Sequence, residues 1–131
     1  MKKNTAAFIL FFGVFLFLSC QKRKVSNGHP ELIGTWKHNK SATELFKIII
    51  EKSSWGHQEW YMNGAFDHKT SNRKWYVKDD RLEFAYISSG ADIFSIDQYP
   101  QVASSRFVHE FDTIQAGRLY MKLGGHYYVS E

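Results

Sequence analysis

From Glu31 to the end of the chain, apolar and polar residues alternate with a period of two, and turn-forming residues recur about every ten residues. Such alternation is typical of strands, because successive side chains of a strand point to opposite faces of the sheet. No connection is long enough for a crossover helix, so neighbouring strands are expected to pair antiparallel. The pattern predicts a single all-β domain over residues 31–131.

Short antiparallel strands must protect their edges, and closure into an up-and-down β-barrel of about eight strands does so most completely. The Asn63-Gly64 pair is the strongest hairpin signal, since a type I′ turn needs positive φ at both central residues. The predicted strands are 32–38, 45–52, 55–62, 73–78, 81–87, 92–98, 105–114, 118–123 and 126–130.

Alternation also assigns side chains to the barrel interior. The interior candidates are Phe46, Ile48, Ile50, Trp75, Val77, Leu82, Phe84, Tyr86, Phe107 and Phe111. A barrel of about eight strands holds only packed side chains or one small ligand. We expect an amphipathic molecule to bind near Trp60 and Trp75, supported by the rings of Phe46, Phe84, Tyr86 and Phe107.

The first residues have the pattern of an export signal. Lys2 and Lys3 precede an uncharged, mostly apolar run from Ala6 to Leu18. At about 1.5 Å per residue, this run covers only about two-thirds of a ~30 Å hydrocarbon core. Residues 1–19 are therefore predicted to be a cleavable signal peptide.

The run ends in Phe17-Leu18-Ser19-Cys20, which resembles the lipobox of bacterial lipoproteins. The resemblance implies that Cys20 becomes the acylated first residue of the mature protein and attaches it to the membrane. A disulfide within the chain is excluded, because the sequence has one cysteine.

Residues 20–30 are predicted to be a flexible, basic tether. The Phe-rich leader and the Ser-Cys junction are similar to those of lipoproteins of the Bacteroidetes, in which an acidic run after the cysteine marks export to the cell surface. Here Lys22, Arg23 and Lys24 follow instead. The resemblance therefore implies an outer-membrane lipoprotein that faces the periplasm.

The first predicted strand carries a second resemblance. Its segment Leu32-Ile33-Gly34-Thr35-Trp36-Lys37 resembles the G-x-W opening of lipocalins and of short lipocalin-like domains in Bacteroidetes lipoproteins. In that family the glycine permits close backbone approach, and the tryptophan plugs the closed end beneath a basic side chain of a late strand. The resemblance implies that Trp36 is a structural plug covered by Arg118 or Lys122.

Charge and motifs exclude several classes of function. Without Lys2 and Lys3 the formal net charge falls from +4 to +2, and the remaining basic residues are scattered among acids, so no nucleic-acid partner is expected. His57 and Glu59 share a strand face, and His126 or His109 could approach them, but this spacing arises readily by chance. We expect no catalytic residue, metal or other cofactor, since the sequence has no nucleophile elbow, phosphate loop or zinc spacing.

Two hypotheses about the function remain open, and the third hypothesis, an enzyme, is less favoured than either. The first is a non-enzymatic binding protein that holds a small apolar or amphipathic ligand inside the barrel. The second is a protein-interaction module, such as an inhibitor or an envelope-assembly partner, that uses an exposed aromatic face around Trp55 to Tyr61. A cavity of ~300 Å³ or more, open at one end, favours the ligand, and a filled barrel favours the external surface.

Overall fold

The computed structural model of the chain describes residues 28–109 and 111–131, and the predicted signal peptide and Cys20 lie outside this part. In the described part, the 3-10 turn Pro30–Leu32 precedes the strands. Within the described residues no helix is long and apolar enough to cross a membrane. The strands are β1 (Gly34–Asn39), β2 (Glu44–Ile50), β3 (Trp55–Met62), β4 (Ala65–Lys69), β5 (Arg73–Lys78), β6 (Arg81–Ala85), β7 (Ala91–Val102), β8 (Phe107–His109), β9 (Asp112–Ile114), β10 (Leu119–Leu123) and β11 (His126–Ser130).

Eight of these strands close into a barrel. Their order around the ring is β1, β2, β3, β5, β6, β7, β10 and β11, and β11 pairs back with β1. Every pairing in the ring is antiparallel. Each barrel strand pairs with the barrel strands that precede and follow it in the chain. The prediction of an all-β, up-and-down antiparallel barrel is confirmed.

The lower end of the barrel, where β1 begins and β2 ends, is filled with side chains. Trp36 is 1% exposed, and its indole Nε1 donates a hydrogen bond of 2.8 Å to the carbonyl of Leu32 in the 3-10 turn. Gly34 has a φ of +144°, a backbone conformation that residues other than glycine rarely adopt. The other residues of this core with less than 2% exposure are Leu32, Ile48, Ile50, Trp75, Leu82, Phe84, Met121 and Leu123.

The predicted strand 105–114 does not join the barrel. It is divided into the separate hairpin β8–β9, which packs on the outer face of β10 and β11. There the Phe107 ring lies 5.2 Å from the Tyr120 ring and 5.5 Å from the Tyr127 ring, measured between centroids. Phe111 lies at the hairpin tip and is 55% exposed. The assignment of Phe107 and Phe111 to the barrel interior is therefore corrected.

Two other strand predictions need correction. Strand β4 was not predicted, because all of its residues are exposed and it shows no apolar alternation. Strand β7 runs through Tyr99-Pro100 to Val102, beyond the predicted end of this strand at residue 98. Its pairing with β10 shifts register there, and the bulge accommodates a proline that has no N–H to donate to the ladder.

Candidate functional site

The upper end of the barrel, where β1 and β3 end and β2 and β11 begin, contains a cavity of about 330 Å³ that is partly open to solvent. This volume lies at the small end of the range for ligand pockets, ~300–1,000 Å³. The barrel is thus packed in its lower half and hollow in its upper half.

Four aromatic side chains from four strands form the apolar wall of the cavity. Phe46 of β2 stands between the other three, with ring centroids 4.9 Å from Trp60, 6.5 Å from Phe94 and 6.2 Å from Tyr128. Burial raises the pKa of Tyr128, so its phenol stays neutral at physiological pH. The wall offers an apolar surface with one hydroxyl.

The rest of the lining is polar and comes from His38, Lys40, Gln58 and His126. The imidazole rings of His38 and His126 lie on neighbouring strands with centroids 4.8 Å apart. His38 Nδ1 donates a hydrogen bond of 3.0 Å to the carbonyl of Tyr127, because a carbonyl oxygen can only accept. This bond fixes the orientation of the His38 ring at the cavity wall.

Gln58 is held by a network that bridges a short seam of the barrel. Strands β3 and β5 pair at only two positions, Trp55 with Lys74 and Gly56 with Arg73. Close to this seam, the Asp92 carboxylate accepts hydrogen bonds from Arg73, from Tyr86 and, at 3.2 Å, from Gln58 Nε2. The side chains thus connect β3, β5 and β7 where the backbone ladder is short.

The same network sets the protonation of Asp92. Burial by itself raises the pKa of this carboxyl, but the hydrogen bonds from Tyr86 and Arg73 and the positive charge of Arg73 outweigh it. The pKa of Asp92 therefore lies below its ordinary value. Asp92 is an ionised carboxylate at neutral pH, and its charge is matched by Arg73.

The structure brings together some of the predicted ligand-binding residues and separates others. Trp60 and Phe46 line the cavity. Trp75 and Phe84 lie below it in the packed core, where Phe84 touches the cavity wall through a T-shaped contact with Phe94. Tyr86 follows the end of β6, is 43% exposed and does not line the cavity, and Phe107 lies on the outer face.

The predicted basic cover of Trp36 is also placed differently. Lys122 lies over the ring of Tyr127, 5.2 Å from its centroid, on the outer face of the sheet. Arg118 is exposed and donates a hydrogen bond of 2.7 Å to the carbonyl of Ser130. Leu32, which is fully buried in the 3-10 turn, covers the indole of Trp36 instead.

His57 and Glu59 lie on the outer face of β3, where His57 Nε2 donates a hydrogen bond of 2.9 Å to Glu59. The two histidines that could have joined them lie elsewhere. His126 lines the cavity, and His109 packs against Tyr127 on the outer hairpin. Among the described residues, no group of three or more histidine, cysteine or acidic side chains is placed to hold a metal.

The described residues also form hollows at the outer surface, two of which approach the barrel cavity in volume. One, of about 290 Å³, is bordered by polar side chains beneath the β8–β9 hairpin, including Lys37, Asp112 and Arg118. The other, of about 320 Å³, lies between the turn at Ser41 to Glu44 and the tip of the β3–β4 hairpin. Neither combines the aromatic wall and the polar rim of the barrel cavity.

Sequence reasoning missed six of the cavity residues, His38, Lys40, Gln58, Phe94, His126 and Tyr128. For two of them a signal was present. His38 lies two residues after Trp36, and Gln58 lies two residues before Trp60, so period-two alternation places both inside the barrel. Neither residue stands out in the sequence, because a polar residue is not expected in a core.

No protein-family model matches this chain, and no curated protein or solved structure is significantly similar to it.

Proposed function

We propose that this protein is a lipid-anchored, non-enzymatic envelope protein that binds a small apolar or amphipathic molecule in the hollow end of its barrel. The observation that carries the proposal is the partly open cavity of about 330 Å³ lined by Phe46, Trp60, Phe94 and Tyr128. Small-molecule sites are typically concave and mostly apolar, with a few polar groups that fix orientation.

The size of the cavity limits the ligand. Each buried methylene contributes ~0.8 kcal/mol, so about five of them contribute ~4 kcal/mol before the cost of immobilising the ligand. A short acyl chain or a single ring system suits this volume. Affinity is expected to be micromolar at best.

The membrane anchor in this proposal is Cys20, which lies outside the described residues. It rests on the lipobox-like junction, and the basic tether favours a position at the outer membrane facing the periplasm. The Gly34-x-Trp36 opening and the eight-strand ring agree with the resemblance to lipocalin-like domains.

The alternative is a protein-interaction module that uses the outer face of β3. Trp55 is 42% exposed, and Tyr61 lies on the same face. Between them, however, His57 and Glu59 form a hydrogen-bonded polar pair, and Tyr61 donates a hydrogen bond of 2.7 Å to Glu59. The aromatic surface is therefore interrupted, which favours the internal cavity as the site.

Intrinsic fluorescence distinguishes the two surfaces, because Trp60 lines the cavity and Trp55 lies outside. Titration of the purified protein with 1-octanol should change the emission in the wild type and in the control Trp55→Phe. In Trp60→Phe the change should be largely lost, while calorimetry still detects binding.

A response that depends on Trp55 rather than on Trp60 would favour the outer face. Absence of any binding by octanol, octanoate and indole in both assays would contradict the proposed function.

A further inference from the structure

The ionisable groups at the mouth of the cavity are basic or neutral. Lys40 and His126 are exposed at the rim, His38 is buried beside His126, and Tyr128 is a neutral phenol. No acidic side chain lines the cavity among the described residues.

The carboxylate of Asp92, two residues before Phe94, is hydrogen-bonded to Gln58 of the cavity lining. It is engaged by Arg73, Tyr86 and Gln58, so its charge is already compensated. It therefore does little to offset the positive charge of the Lys40 ammonium. A cleft with low-dielectric walls and charges of one sign concentrates ligands of the opposite charge.

The imidazole rings of His38 and His126 add N–H donors near the Lys40 ammonium. The hydrogen bond from His38 Nδ1 to Tyr127 assigns that nitrogen a proton, and the contact of His38 with His126, at 4.8 Å between centroids, keeps both rings at one side of the mouth. An anion at this position can accept from Lys40 and His126 while an apolar tail enters the aromatic wall.

We propose that the ligand of this cavity is an amphiphile with an anionic head group, held at the rim by Lys40 and His126 beside His38, with its short apolar tail against Phe46, Trp60 and Phe94. This inference rests on the proposed function and specifies the class of ligand.

The test compares octanoate with 1-octanol, which have the same chain length and differ in head-group charge. The full protein, Lys40→Gln and the control Lys52→Gln are titrated by calorimetry at low ionic strength. Lys52 is exposed in the turn after β2, at the opposite end of the barrel, and its substitution changes the net charge equally.

Octanoate should bind Lys40→Gln about fivefold more weakly than the wild type, as for a partly exposed charge pair. Its affinity for Lys52→Gln should be unchanged. Octanol should bind all three proteins equally, and added salt should weaken octanoate alone.

If octanoate binds the wild type and Lys40→Gln with equal affinity and octanol still binds, the inference of an anionic head group is wrong. The proposed function is then left intact. The same holds if Lys52→Gln weakens octanoate as much as Lys40→Gln does. If neither compound binds any of the proteins, both the inference and the proposed function fail.

Discussion

The strongest structural constraint on the barrel seam is at Gly56, where β3 pairs both with Ile50 of β2 and with Arg73 of β5. A Cβ atom built on Gly56 would lie 2.5 Å from the carbonyl oxygen of Ile49 and 2.8 Å from Cε1 of Phe84. Both distances are shorter than any ordinary carbon contact. Gly56→Ala should therefore disturb the seam that closes the barrel.

The expected cost follows from the nature of the two contacts. Overpacking of a core costs ~1–3 kcal/mol, and the contact with Ile49 involves backbone, which cannot rotate away. The alanine recovers ~0.5–1 kcal/mol through the lower entropy of its unfolded state. Because the backbone contact cannot relax, we take the upper end of the overpacking range, ~3 kcal/mol, and expect a net loss of about 2 kcal/mol from a total of ~5–15 kcal/mol.

Urea unfolding followed by tryptophan fluorescence measures this loss. With a slope of about 2 kcal/mol per molar urea, the midpoint should fall by about 1 M. The double variant Gly56→Ala/Phe84→Leu removes the ring contact but keeps the contact with the Ile49 carbonyl, so it should not recover the wild-type midpoint. An unchanged midpoint for Gly56→Ala would refute the reasoning.

Three further predictions concern the core, the acid response and the anchor. Trp36→Ala removes a buried indole and leaves the carbonyl of Leu32 without its donor, so the free energy of unfolding should fall by ~3–5 kcal/mol in urea titrations. Since the folded-state pKa of Asp92 is lowered, its stabilisation is complete above the ordinary carboxyl pKa and is lost as the pH falls through the folded-state value. Asp92→Asn should therefore lose less stability than the wild type across that acidic window. Cys20→Ser should block acylation and leave an unlipidated precursor, as seen by mass spectrometry.

Each of these predictions has a control or a contradicting outcome. A melting temperature of Trp36→Ala equal to that of the wild type would show that the indole does not stabilise the closed end. Asp79→Asn changes a carboxylate in the β5–β6 turn that is 77% exposed, and it should keep the acid dependence of the wild type. Acyl chains on Cys20→Ser, or a free thiol on the native protein, would contradict the anchor.

The barrel itself was predictable because alternation is preserved wherever a strand has one buried face. Strands β3, β5 and β11 have the predicted bounds. Strand β4 escaped prediction because none of its residues is buried. The hairpin β8–β9 was read as one barrel strand because its apolar residues also alternate, although they pack on an outer face.

The candidate site was only partly predictable. Period-two alternation correctly placed the aromatic residues Phe46 and Trp60 inside the barrel. It does not show where along the barrel axis a residue lies. Trp75 and Phe84 therefore joined the predicted site although they belong to the packed lower half. His126 lies in the predicted strand 126–130, but the sequence related it to His57 and Glu59, which lie on the outer face of β3, and not to the interior cavity that it lines.

A crystal structure of the protein with octanoate carrying bromine at the end of its chain tests the binding site most directly. The account predicts an anomalous bromine peak inside the upper half of the barrel, among Phe46, Trp60 and Phe94, with the carboxylate at Lys40 and His126. Bromine peaks confined to the outer surface, for instance at Trp55, or an upper half filled by side chains would contradict it.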